Sequence, residues 1–424
     1  MALTIYAEFQ PLPAGSTTIA VVGLGYIGLP TAAALARAGS TVIGVDIDRR
    51  AVDAVNAAKS HIVEPGLDNL LSEVVGSGAL RADTVMPEAD AYLIAVPTPV
   101  GHDQYRTPDL SYVFAAADAV ARVLKPGALV VLESTSPVGA TRQMIARMAA
   151  ARPDLRFPQD GRDEDQIDID VVYSPERVIP GKTLEELGTN ARVVGGSTPR
   201  AARRAAAIYK TLTSGELLLT DDRSAEMVKL TENAFRDVNI AFANELSMVC
   251  DELDLNVWDV IDLANRHPRV NILRPGPGVG GHCIAVDPWF IVAQAPETAR
   301  LIRAAREIND SKPGFVIGKA RALMDADPKA TLACLGLAFK PDVDDFRESP
   351  SLDIARALNG MYPGRVVCAE PYAEALEGDH GLTIAPYAEA LRADVVVSLV
   401  AHGHFKASDA RPTGTVIDAC GLWQ

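Results

Sequence analysis

Cysteine, aromatic side chains, positive charge and long apolar runs are all scarce in this chain, and each shortage excludes something. The five cysteines, Cys250, Cys283, Cys334, Cys368 and Cys420, are odd in number and widely spaced. They form no Cys-x-x-Cys pair and no Cys/His cluster, so neither a disulfide scaffold nor a zinc site is expected. No apolar run approaches the roughly 20 residues of a membrane helix. Met1–Ser16 lacks the basic and apolar regions of a secretory signal. A cytoplasmic protein with reduced thiols and no membrane partner is the expectation. Lys and Arg number 40 against 55 Asp and Glu, giving a net charge of −15. Nucleic acid is therefore not an expected partner, because that needs a basic footprint. A few arginines gathered in one pocket can still hold a small anion.

What is present is ordinary globular material: 424 residues, 48% hydrophobic and 22% charged, long enough for two or three domains. Residues 1–16 read as a leader. Thr18-Ile19-Ala20-Val21-Val22 is a short β-branched run suited to a buried strand. It enters Gly23-Leu24-Gly25-Tyr26-Ile27-Gly28, then an Ala-rich helix over Leu29–Ala38 that stops at Gly39. Thr41–Val45 is the next strand, and Asp46 follows it. Strand, glycine turn, helix, strand and acid stand in the order of a dinucleotide fold. The glycines allow a tight turn and a helix N-terminus facing a pyrophosphate, and Asp46 accepts from a ribose hydroxyl. A lone GxGxxG is weak evidence, but the flanking elements make cofactor binding the expected reading. The acid repels a 2′-phosphate and so favours NAD over NADP, with Arg49 and Arg50 the nearby counter-argument.

Further strands are expected at Ala91–Val96, Ala128–Leu132 and Asp168–Tyr173. Ligands of open parallel sheets sit beyond the carboxyl ends of strands. That makes Thr98 and Thr135 candidate cofactor contacts, or else hydroxyls satisfying their own turns. Glu176, in Ser174-Pro175-Glu176-Arg177, falls on the same edge. A helix over Pro199–Thr211 precedes a longer one, about Ser224–Leu253, free of Pro and Gly and long enough to bridge domains or form a dimer interface. Lys229, Asn233 and Arg236 share one of its faces. That row suits an anionic or carbonyl ligand, though spacing equally allows a solvated face.

A short helix at Val257–Ala264 leads through Asn265-Arg266-His267-Pro268-Arg269 to the loop Gly276–Asp287, which carries four glycines, Cys283 and Asp287. Its glycines permit positive φ or close approach of the backbone to a ligand. Helical segments are expected from Asp287 and over Ala299–Asn309. A strand running into a turn over Thr331–Lys340, then strands at Arg365–Ala369, Asp394–Val400 and Thr415–Asp418, with a helix over Ser351–Leu358, imply a second β/α sheet without a second glycine motif. Phe339, Lys340 and Arg347 follow its first strand. The fold class expected is α/β, with two Rossmann-like doubly wound parallel-sheet domains joined by a long helix and a helical central domain. The segments are 17–212, 213–318 and 319–424.

A dehydrogenase making a ketone needs only a base and its cofactor. A nucleophilic cysteine becomes useful when an alcohol is carried to an acid: the thiolate adds to the aldehyde, a second oxidation gives a thioester, and water cleaves it. The lysine and amide would stabilise the alkoxide-like oxygen, and a carboxylate would handle the water.

Together, Gly23-x-Gly25-Tyr26-Ile27-Gly28, Val96-Pro97-Thr98-Pro99, Ser134-Thr135-Ser136-Pro137-Val138-Gly139, Ser174-Pro175-Glu176-Arg177, Lys229-x-x-x-Asn233, Gly280-Gly281-His282-Cys283 and Phe339-Lys340 resemble the UDP-glucose/GDP-mannose dehydrogenase family, in order and over nearly the whole chain. The resemblance implies Cys283 as the nucleophile, Lys229 with Asn233 as acid/base or oxyanion partners, Glu176 in thioester hydrolysis, and Asp287 organising water or Lys229. It implies substrate contacts from Arg177, Val178, Lys229, Asn233, Arg236, His267, Arg269, Gly280, Phe339 and Lys340. Gly23, Gly25, Tyr26, Ile27, Gly28, Asp46, Thr98, Thr135 and Arg347 match the NAD site. The counterpart of Arg269 reaches a neighbouring subunit in the family, implying a homodimer or larger homo-oligomer. The segments around His267 and His282 point to UDP-N-acetyl-D-mannosamine as the sugar nucleotide oxidised at C6. UDP-N-acetylglucosamine, UDP-glucose or GDP-mannose is the alternative, and a non-catalytic nucleotide-sugar sensor a remoter one. One departure stands out: the family often has a substrate-contacting arginine near its C-terminal Asp-x-x-Gly segment, here Asp418–Trp423, and none stands here.

Overall fold

The computed structural model describes residues 4–5, 17–101, 103, 106–158, 162–179, 181–281, 283–376 and 381–424. Most of the 1–16 leader, and His282, lie outside the described residues. The chain forms two compact units, Met1–Thr231 and Glu232–Gln424.

The first unit is built on nine strands: β1 (Thr4–Ile5), β2 (Thr18–Val22), β3 (Thr41–Val45), β4 (Leu80–Asp83), β5 (Ala91–Ile94), β6 (Leu129–Leu132), β7 (Asp170–Tyr173), β8 (Arg192–Gly196) and β9 (Leu217–Asp221). Their order across the sheet is β1-β9-β8-β7-β6-β5-β2-β3-β4. Helices cover both faces, so the strands are apolar on both sides. Ile19 and Val21 point into one core while Ala20 and Val22 enter the other. The sheet is parallel except where β8 runs antiparallel to β7 and β1 antiparallel to β9. The strand at residues 4–5 was not foreseen within the leader. The reversal at β8 was not foreseen either. The chain leaves β7 and returns through a loop and the short helix Thr183–Thr189 without crossing the sheet, so β8 runs back.

The second unit carries β10 (Leu332–Leu335), β11 (Val366–Ala369), β12 (Val395–Ser398) and β13 (Thr415–Asp418), an all-parallel sheet in the order β11-β10-β12-β13. It too has a core on each face, with Leu332 and Cys334 in one and Ala333 and Leu335 in the other. At the end of β13, Asp418 Oδ1 accepts from Ser398 Oγ and from the backbone N–H groups of Gly421 and Leu422, which folds the final turn.

The long helix spans Asp222–Glu252, and the next is Val257–Ala264. The helix expected to end at Asn309 runs instead over Arg300–Ala326, through Pro313. Buried polar contacts fix its N-terminal half. Arg306 donates to Asp237 Oδ1 at 2.6 Å, and Asn309 donates to the same oxygen at 2.8 Å.

Candidate active site

At the exit of β2, Gly23 has φ +92°, and a Cβ there would lie 2.6 Å from the Ala95 carbonyl oxygen. A Cβ on Gly28 would lie 1.8 Å from the Gly23 carbonyl oxygen, so only glycine lets the helix Gly28–Arg37 start against this turn. Gly25 differs, because nothing lies within 4 Å of where its Cβ would be. The first and third glycines thus serve the fold, and the second leaves backbone open to a pyrophosphate. Asp46 Oδ2 accepts from Leu24 N–H at 2.8 Å, placing the carboxylate beside the turn. Arg50 is engaged on Asp48. Tyr26 is 37% exposed at the turn, and Ile27 occupies the helix N-cap. Ser134 Oγ donates to the Val96 carbonyl at 2.7 Å, tying the loop of Thr98 to the loop of Thr135. These residues fit an NAD site: the open backbone at Gly25 would hold the pyrophosphate, and Asp46 the adenosine ribose.

Elsewhere in the first unit, Glu226 of the long helix is buried and accepts from Thr141 N–H at 2.8 Å and Thr141 Oγ1 at 2.7 Å. That anchor holds the helix one turn before Lys229. Burial pushes the Glu226 carboxyl up, and the bonds from Thr141 oppose it. Lys229 is almost buried, and its Nζ donates to the Glu176 carbonyl at 2.9 Å. Two of the expected catalytic residues therefore meet, through ammonium and main chain rather than ammonium and carboxylate. Glu176 Oε1 accepts from Arg177 N–H at 2.7 Å, and its Oε2 lies 2.7 Å from Arg192. Arg177 itself donates to the Ala191 carbonyl, and Val178 follows it, half-buried. Sequence reasoning missed Arg192, Glu133 and Tyr209 behind Glu176. The available signal was an arginine opening an otherwise apolar strand.

In the second unit, the glycine loop is packed hard. A Cβ on Gly280 would meet the Glu348 carbonyl oxygen at 2.4 Å and Pro350 Cδ at 2.7 Å, and one on Gly281 would meet the Phe339 ring at 3.1 Å. Close contact with Phe339 and Pro350 is therefore what these glycines permit. The loop entry is tied down where Gly276 N–H donates to Asn244 Oδ1 at 2.8 Å. Cys283 is exposed, and its carbonyl accepts from Val286 and Asp287 N–H as the helix Asp287–Gln294 begins. Asp287 is buried and takes a 2.6 Å bond from Asn233 Nδ2. Of the five cysteines only Cys283 is exposed. Hydrogen bonding with Cys368 and burial hold the Cys334 thiol well above the ordinary range, and burial pushes Cys420 up to about 12.

The remaining expected contacts are spread over this unit. Lys340 Nζ lies 5.6 Å from the Phe339 ring centroid, and Arg347 is bonded to Asp345. His267 and Arg269 are exposed on a loop that Asn265 closes by bonding both Ile272 N–H and Ile272 carbonyl. Arg236 is exposed on the long helix.

The first unit thus carries a dinucleotide-type turn, and the second carries an exposed cysteine on its glycine loop. Patterns of the UDP-glucose/GDP-mannose dehydrogenase family match residues 17–213 (NAD binding domain), 223–311 (central domain) and 333–424 (UDP binding domain). The chain belongs to that family, whose members are NAD-dependent nucleotide-sugar dehydrogenases. Among its relatives is the UDP-N-acetyl-D-mannosamine dehydrogenase of Salmonella typhi, 55% identical over 96% of this chain and 99% of that one. The NDP-N-acetyl-D-galactosaminuronic acid dehydrogenase of Ralstonia solanacearum is 54% identical, covering 96% of each. The solved UDP-D-ManNAc dehydrogenase of Pyrococcus horikoshii superposes with a TM-score of 0.85 at 36% identity, covering 96% of each chain.

Proposed function

We propose that this chain oxidises UDP-N-acetyl-D-mannosamine at C6 to the uronate, in two oxidations and one hydrolysis on Cys283. The observation that carries this reading is the thiol: of five cysteines, the one exposed is Cys283, on a loop that tolerates no Cβ at Gly280. Close relatives named for this substrate support the choice of sugar. NAD supplies the hydride acceptor for both oxidations. Lys229 moves the C6 hydroxyl proton and, with Asn233, stabilises the oxyanion. The Cys283 thiolate adds to the aldehyde carbon, and the thioester that follows the second oxidation is cleaved by water whose proton Glu176 accepts. Asp287, bonded to Asn233, fixes that amide's orientation. Lys340, Arg177, Val178, Arg236, His267 and Gly280 are assigned to the sugar nucleotide.

An exposed apolar row on the long helix, Phe235, Phe242 and Val249 at seven-residue spacing, supports a homodimer, with Arg269 reaching the second copy. Five cysteines joined by no disulfide, together with the NAD site, favour a cytoplasmic setting, and no helix among the described residues is long and apolar enough to cross a membrane. The test is the NADH formed per sugar nucleotide consumed across a panel of UDP- and GDP-sugars. About two NADH per sugar, with UDP-N-acetyl-D-mannosamine the best substrate, is expected from a four-electron oxidation. A ratio near one sinks the thioester route, and a better alternative sugar sinks the substrate assignment.

A further inference from the structure

Behind Glu176 lies a set of buried charges that the reaction just described does not use. The Arg192 guanidinium stands 2.7 Å from Glu176 Oε2 and 3.1 Å from Glu133 Oε1. It lies 3.9 Å from the Tyr209 ring centroid, and its Nε donates to Ser174 Oγ at 3.2 Å. The Tyr209 hydroxyl donates to Glu133 Oε1 at 2.7 Å. Glu133's side chain is fully buried, and its Oε2 has no hydrogen-bond partner among the described residues. The charged or titratable groups facing Glu133 are Arg192 from β8, Glu176 from the segment after β7, and Tyr209 from the helix Pro199–Tyr209. Two carboxylates thus share one buried guanidinium, the Glu133 side chain fully buried and that of Glu176 still 8% exposed. Like charges so close do not both ionise freely, and the more deeply buried acid keeps the proton. Burial, opposed by Arg192 and reinforced by Glu176, pushes Glu133 up to about 7.

We propose that Glu133 is a positioning residue for thioester hydrolysis, standing neutral behind Arg192 so that the guanidinium serves Glu176 and holds its carboxylate aimed. The proposal rests on the reading of Glu176 as the base for water. In that step the water oxygen bonds to the acyl carbon and one water proton passes to Glu176. The C–S bond breaks, and its electron pair leaves on the Cys283 sulfur. When Glu133 ionises, the guanidinium is drawn toward it and Glu176 loses its anchor.

The experiment measures, on the full-length enzyme with UDP-sugar and NAD, the rate constant that follows the initial NADH burst. The ratio of Glu133→Gln to wild type should rise at least about threefold between about pH 6 and about pH 8.5, because glutamine fixes the neutral form. A flat ratio overturns the proposal. If Glu133→Gln does not fold, Tyr209→Phe replaces it. Losing the phenol donor disfavours ionised Glu133, so the inflection in the same rate constant should move to higher pH, and an unmoved inflection overturns the proposal. Wild-type hydrolysis by Glu176→Gln would instead refute the role of Glu176, whatever Glu133→Gln does.

Discussion

Gly23 N–H donates to the Val45 carbonyl at 2.8 Å as the chain leaves β2, and Gly336 N–H donates to the Ala369 carbonyl at 2.9 Å as it leaves β10. Both glycines have positive φ, +92° and +83°. In each sheet an acid after the neighbouring strand accepts from the turn: Asp46 from Leu24 N–H, and Glu370 from Leu337 N–H at 2.6 Å. From there the two turns part. The first starts its helix at Gly28, within six residues of β2, while the second starts its helix at Pro350, after a loop carrying Phe339, Lys340 and Arg347. Asp46 is half-buried, whereas Glu370's side chain is fully buried with His402 Nε2 at 3.3 Å from its Oε2. His402 Nδ1 in turn accepts from Asp342 N–H at 3.0 Å, clamping the loop's far end. One scaffold thus yields a tight glycine turn where the helix begins early. It yields a side-chain-bearing loop where the helix begins late and the acid is spent inside the protein.

The sharpest way to break that comparison is at Gly28. Gly28→Ala puts a Cβ into the Gly23 carbonyl and should weaken NAD binding by about 100-fold, about 2.7 kcal/mol, in a titration followed by fluorescence. Unchanged affinity would mean the turn is not the cofactor site. His402→Ala leaves Glu370 buried without its imidazole, and should cost about 3 kcal/mol in urea unfolding and raise KM for the UDP-sugar more than it lowers kcat. A normal KM would show that the clamp does not serve the Lys340 loop.

Glu133 gives a pH-dependent difference. Its carboxyl is raised in the folded state to about 7. The stability it contributes is therefore full below its unfolded value and lost as pH rises through about 7. Glu133→Gln should gain on the order of 2 kcal/mol over wild type at pH 8 relative to pH 5, in paired denaturant titrations. A pH-independent difference would contradict the buried, proton-holding state. The smallest effect on stability is expected at Gly25. Nothing stands within 4 Å of its Cβ position, so Gly25→Ala should change stability by less than about 0.5 kcal/mol yet still weaken NAD binding.

The sequence made the first sheet's opening legible because its signals are local: apolar run, glycines, Ala-rich helix and acid all lie within thirty residues of one another. The short helix Val257–Ala264 was legible for the same reason, from its flanks and its apolar spacing. What was hidden depends on distant partners. The helix Arg300–Ala326 was cut short in the sequence reading, although Pro313 is held inside it, with its ring close to Gly278. The reversal of β8 is a matter of direction, which apolar periodicity does not encode. At the site, Cys283, Asp287 and Gly280 could be picked out because the loop is peculiar in composition. The reason for Gly280, contact with Glu348 and Pro350 some seventy residues on, could not. Arg192 with Glu133 is the extreme case: two ordinary charged residues, 59 positions apart, that meet only once the sheet has formed.

The reaction proposed here runs through Cys283, whose sulfur would carry the oxidised sugar. The direct measurement is acid-quenched mass spectrometry of the Glu176→Gln enzyme mixed with UDP-N-acetyl-D-mannosamine and NAD. The expected result is an acyl adduct with the mass of the oxidised sugar nucleotide on the peptide containing Cys283, formed as NADH appears. No adduct at any time, together with wild-type uronate production by Cys283→Ser, would contradict it.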